Sequence, residues 1–213
     1  MSSRFIARSI AVTLVLSALA VACGHPRPQT APVSHPLSGS AVTAAPHRLH
    51  GEADDPAGDA TADPRLARSP DLVHASVDVV DGQAHFVVRL VSGTFDRTTT
   101  LVIVNLDTDG NPSTGQAIAG LGVDYVISLG DGQGDTALIG RYGGSPANFV
   151  SVDRVPVVFM ADGMDVSLPL ALLGNPSGRM TFRVMTFIHV PNTQTTGVID
   201  VLPDVNREPG RVE

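Results

Sequence analysis

Apolar and polar positions alternate most clearly over residues 71–91. Val73, Ala75, Val77 and Val79 alternate with His74, Ser76 and Asp78, and Ala84, Phe86, Val88 and Leu90 with His85, Val87 and Arg89. A period of two is the mark of half-buried strands. Asp81-Gly82 lies between the two runs and predicts a two-residue type I′ hairpin, because both residues tolerate positive φ. With Val80 opposite Gln83, the register sets Val79 against Ala84, Val77 against Phe86, Ala75 against Val88 and Val73 against Leu90 on one face. Asp78 then meets His85, and His74 meets Arg89, on the other. An Asp–His pair can orient a catalytic imidazole, but no neighbouring nucleophile completes one, so an exposed cross-strand pair is expected.

The next run abandons the alternation. Leu101-Val102-Ile103-Val104-Asn105-Leu106 is apolar on both faces, as a central strand should be. It enters Asp107-Thr108-Asp109-Gly110-Asn111-Pro112-Ser113-Thr114-Gly115, and the chain resumes a strand at Val123–Leu129. Further strands are predicted at Thr136–Tyr142, Phe149–Val152 and Val155–Met160, with Pro156 suggesting an edge. An Asp162-Gly163 hairpin turn leads to Met164–Pro169, and Leu170–Leu173 reads as one helical turn stopped by Gly174. Met180–Val190 places Phe182, Val184, Thr186 and Ile188 on one face and Arg183, Met185, Phe187 and His189 on the other; Val198–Leu202 adds a last strand. About nine closely spaced strands without a long amphipathic helix predict an all-β, antiparallel sandwich.

Composition agrees with many turns: 21 Gly, 16 Pro and acids that are mostly Asp. There is no Lys and no Trp, and the formal net charge is −7. Such a charge disfavours nucleic acid and anionic membrane surfaces as partners. No Gly-x-Ser-x-Gly, His-Glu-x-x-His or phosphate-binding glycine loop is present, so a hydrolase is a remote reading and a non-catalytic protein is expected.

The N-terminus changes the picture of where the domain works. Arg4 and Arg8 precede the apolar run Ile10–Val21. That run is shorter than the roughly 20 residues of a membrane span and suits an export signal. Its end, Ala20-Val21-Ala22-Cys23-Gly24, resembles the lipobox of bacterial lipoproteins. The resemblance implies cleavage after residue 22 and diacylglyceryl (palmitate-type) modification of Cys23. The expected state is then an exported protein of the cell envelope, held in a lipid bilayer through acylated Cys23. Gly24 after the Cys further resembles lipoproteins sorted to an outer membrane, where the cell has one. Cys23 is the sole Cys, so no intrachain disulfide is available. Residues 1–22 are thus read as signal, 23–51 as a Pro-, Ala- and Ser-rich linker, and 52–213 as the sandwich domain. His25, His35, His47 and His50 lie in that linker; a metal-scavenging tail is one reading and a plain spacer the other.

Candidate chemistry concentrates in the loop after the central strand. Asp107, Asp109, Asn111 and Thr114, with Asp124 from the next strand, offer oxygen ligands to one centre, and calcium takes six to eight such oxygens. Two carboxylates about 4 Å apart repel by roughly 4 kcal/mol at an effective dielectric of about 20, so a converging cluster needs a counter-ion. With no Lys, only a cation or an Arg such as Arg97 or Arg141 could serve. The loop is not an EF-hand: Pro112 stands at its sixth position and Ile118 at its twelfth. The alternative is that these side chains only cap turns.

Asp-Pro-Ala-Gly-Asp, the Leu106–Gly115 loop followed by Gly-Val-Asp-Tyr, and Val166–Gly174 together resemble the DOMON-like superfamily that includes family 9 carbohydrate-binding modules. The resemblance implies a jelly-roll-like sandwich, often with structural calcium, sometimes with a sugar or haem ligand. Sugar-binding members stack rings on Trp or Tyr, and here only Tyr125 and Tyr142 are candidates. Haem-binding members use Met and His; Met160, Met164, Met180, Met185 and His189 are present, and Met in a β-core is more often packing. Two functions follow: a calcium-stapled structural or protein-interaction module with an envelope protein as partner, or a module that binds glycan or another small ligand.

Overall fold

The computed structural model describes residues 48–131, 134–144, 148–174, 179–189 and 197–213. The signal segment, Cys23 and the linker up to residue 47 lie outside them. The described residues form thirteen strands: β1 (Arg48–Asp54), β2 (Leu72–Val80), β3 (Gln83–Leu90), β4 (Thr100–Asp107), β5 (Gln116–Ile118), β6 (Leu121–Val123), β7 (Tyr125–Leu129), β8 (Thr136–Tyr142), β9 (Phe149–Met160), β10 (Gly163–Pro169), β11 (Met180–Ile188), β12 (Asp200–Leu202) and β13 (Gly210–Val212). Every pairing is antiparallel. The strand order is β1-β2-β3-β10-β9-β8-β7-β4-β11-β12, with β13 also on β11 and β5-β6 a separate hairpin. Two layers meet over one core, Val77, Phe86 and Val166 on one side and Val104, Ile127 and Val184 on the other. The all-β antiparallel sandwich expected from the alternation is therefore present, and it is nearly closed on itself.

The first hairpin forms as its turn dictates. Asp81 and Gly82 take φ of 49° and 78°, and Val80 faces Gln83. The register holds through His74–Arg89 and then slips at a bulge, so Leu72 rather than Val73 faces Leu90. Asp78 does sit opposite His85, but its carboxylate turns to β1, where Arg48 and His50 donate to it. The first strand begins at Arg48, inside the segment read as linker, so His50 is a strand residue.

The stretch expected as two strands is one. β9 pairs with β8 up to Pro156 and with β10 from Val157, passing from one layer to the other. Pro156 stands at that crossing, where its missing N–H costs no ladder bond. The next turn is Ala161-Asp162, and Gly163 belongs to β10. Its glycine is needed for space, since a Cβ would lie 2.1 Å from the Val88 carbonyl oxygen. Leu170–Leu173 forms the expected turn, of 3₁₀ type, ended by Gly174 at φ 71°.

On the side away from β9 the layers join through β1 and β13. His50 N–H donates to Glu213 O and Glu213 N–H to His50 O, both at 3.1 Å. Gly51 permits this approach; a Cβ there would sit 2.2 Å from the Arg211 carbonyl oxygen. On its outer face the β7-β4-β11 layer carries a second, small core, in which Leu121, Val123 and Val126 pack with Ile103, Ile118 and Phe149.

Candidate metal centre and apolar groove

Asp107 closes β4 and is 3% exposed, Asp109 follows in the loop, and Asp124 immediately precedes β7. One carboxylate oxygen from each lies within 4.8 Å of the others. Burial pushes the Asp107 carboxyl above its ordinary range; the Gly110 N–H opposes this, and the charges of Asp124 and Asp109 add to it. Arg97 does not supply the counter-charge: it pairs with Asp135 and lies over the Phe159 ring. Among the described residues no ion pair reaches any of the three carboxylates, so Arg141 does not neutralise them either.

The loop's own amides engage much of this oxygen. Gly110 N–H donates to Asp107 Oδ1 at 2.7 Å, and Asn111 N–H donates to Asp109 Oδ1 at 2.8 Å. Asp124 Oδ2 accepts from Thr108 N–H at 2.9 Å and from its hydroxyl at 3.0 Å. Asn111 Oδ1 accepts from Ser113 N–H at 3.1 Å, and the Thr114 hydroxyl donates to Asp109 at 2.9 Å. Asp107, Asp109 and Asp124 therefore converge, while Asn111 and Thr114 hold the loop in shape. An all-carboxylate set fits a hard, oxygen-seeking cation of the calcium type.

The two tyrosines line one open depression of about 480 Å³ together with Asp109, Asp124 and Arg141. Tyr125 is 8% exposed within the main core, and its hydroxyl abuts Gly174. Tyr142 is half-buried and tilts against Phe149, ring centroids 6.0 Å apart. Met164 and Met180 are core residues.

A second concave surface, more apolar, lies on the outer face of the β11-β4-β7-β8-β9 layer. Ile103, Val126, Leu138, Phe149, Met185 and Phe187 line a groove of about 410 Å³. Asn105, Ser128 and Ser151 supply its polar groups. Asn105 is 2% exposed and donates weakly to the Arg183 carbonyl at 3.4 Å. Sequence reasoning missed this groove, although β4 and β11 signalled it by being apolar on both faces. The second small core accounts for Ile103 on that face, but Met185 and Phe187 lie outside it and line the groove.

No protein-family model matches the chain, and no curated protein matches it in sequence.

Proposed function

We propose that the protein is a non-catalytic binding module of the cell envelope, lipid-tethered through Cys23, that takes a small, mainly apolar ligand on the outer face of its second layer. The groove carries this reading. Its volume falls within the roughly 300–1,000 Å³ of small-molecule sites, and it joins an apolar lining to a few polar groups, as such sites do. Phe149 and Phe187 are the aromatics it offers, which favours an apolar molecule over a pyranose ring. A calcium-type ion among Asp107, Asp109 and Asp124 belongs to this reading as a staple that fixes the loop between β4 and β7. It is not a reaction centre.

The test is native mass spectrometry of the full-length protein purified from its own envelope in mild detergent, beside a Ser151→Trp variant. Ser151 lies on an exposed stretch of β9, so the indole fills the groove without entering the core. A co-purifying small molecule lost at least tenfold in the variant is the expected result. Equal retention by both proteins overturns the proposal.

A further inference from the structure

A second group of carboxylates lies away from the β4–β7 loop and the groove, where the start of β2 meets β12. Asp55 directly follows β1, Asp59 lies four residues on, and Asp200 opens β12; one oxygen from each comes within 4.8 Å of the others. Asp71, next to the start of β2, stands beside them and is electrostatically coupled to both Asp59 and Asp200.

These groups differ from ordinary surface acids in how they are held. Asp55 is only 8% exposed, and neither of its carboxylate oxygens has a hydrogen-bond partner. The Asp204 N–H influences its carboxyl without reaching hydrogen-bond geometry. Asp71 is 7% exposed; Oδ2 accepts from Gly58 N–H at 2.8 Å, while Oδ1 is buried without a partner. Asp200 is anchored, Oδ2 accepting from Leu72 N–H at 2.6 Å and Oδ1 from Val201 N–H at 2.8 Å. Among the described residues no ion pair reaches Asp55, Asp59, Asp71 or Asp200. Buried polar atoms are almost always partnered, and buried charges are paired or bind metal. Backbone bonds also aim this pocket: Asp55 N–H donates to Val73 O at 3.1 Å, and Thr61 N–H to Ile199 O at 2.8 Å, pinning the 55–61 segment against β2 and the approach to β12.

We propose that Asp55, Asp59 and Asp200 bind a divalent cation of the calcium type, which clasps the chain after β1 onto β12. The ligands are oxygen only, as hard cations require, and the exposed Asp59 leaves a solvent side on which water completes the coordination. Asp71 adds negative charge at close range and orients the segment through Gly58. The proposal is independent of the groove and of the β4–β7 loop.

The experiment uses full-length protein in detergent, stripped with EDTA and titrated with calcium chloride by calorimetry, with thermal melts before and after. Asp55→Asn and Asp59→Asn are each expected to lose one calcium equivalent, or to weaken it at least tenfold. Asp124→Asn is expected to leave that equivalent intact. Asp59 is exposed, so its variant keeps the fold whatever Asp55→Asn does. In EDTA, Asp55→Asn is expected to melt no lower than wild type, since the amide removes a buried charge; with calcium it melts below wild type. Wild-type calcium stoichiometry and affinity in both Asp55→Asn and Asp59→Asn overturn the proposal, as does a wild-type protein that binds no calcium.

Discussion

The two acidic clusters look alike in composition and differ in how the chain built them. Asp107, Asp109 and Asp124 come from one connection between neighbouring strands, and the loop's amides cap them at 2.7–2.9 Å. Asp55, Asp59 and Asp200 come from opposite ends of the domain, and both buried carboxylate oxygens of Asp55 have no donor. A local cluster can be stabilised by its own turn, because Asp and Asn bond to amides two or three residues on. In the cluster assembled across the fold the amides of Leu72 and Val201 meet Asp200 alone, so the charge of Asp55 is left for a ligand. Number of carboxylates is therefore a weaker guide to a cation than the number left without donors.

The strongest way to break this contrast is to delete one anchored carboxylate from each cluster and compare unfolding midpoints in EDTA. Asp200→Ala orphans the Leu72 and Val201 amides, of which Leu72 is fully buried, and is expected to cost about 2–4 kcal/mol. Asp124→Ala leaves Thr108 within reach of solvent and should cost about 1 kcal/mol. Equal losses would show that the two sites are held alike.

The pH dependence sharpens the same point. Burial, then the charges of Asp200, Asp59 and Asp204, push the Asp55 carboxyl up to about 7, and burial pushes Asp200 to about 6. A carboxyl whose folded pKa exceeds its unfolded one holds its proton longer in the fold. Its contribution is full below about pH 4 and is lost as pH climbs through the folded values. In EDTA the protein should thus lose stability between about pH 4 and 7, and urea midpoints should fall accordingly. Asp55→Asn should flatten that slope, and Asp109→Asn should leave most of it. The smallest effect is expected at the rim of the self-capped loop. Thr114→Val removes an exposed bond to Asp109 and should shift stability by no more than about 0.5 kcal/mol in chemical denaturation.

The same locality divides what the sequence disclosed from what it concealed. The β2–β3 hairpin was legible because Asp81-Gly82 fixes its register and every later pair follows; only the Leu72 bulge escaped, since nothing in an alternating pattern marks an extra residue. The loop carboxylates were legible because five candidate ligands stand within 18 residues of one another. The count of about nine strands fell short because β5, β6 and β13 are three residues each, too short to show a period, and because β1 begins inside the segment read as linker. Pro156 suggested an edge, and a strand that changes layers there could not be told from two strands. Asp55 and Asp200 are 145 positions apart, and their meeting follows from the sheet order, which no local pattern encodes.

The reciprocal amide bonds between His50 and Glu213 make β13, though only three residues long, a guard rail for its longer neighbour. β1 runs for seven residues, and a strand of that length with one flank bare invites a second molecule to lie alongside it. Trimming residues 210–213 is expected to uncover that flank and to add self-association that rises with concentration, read by light scattering beside the intact protein.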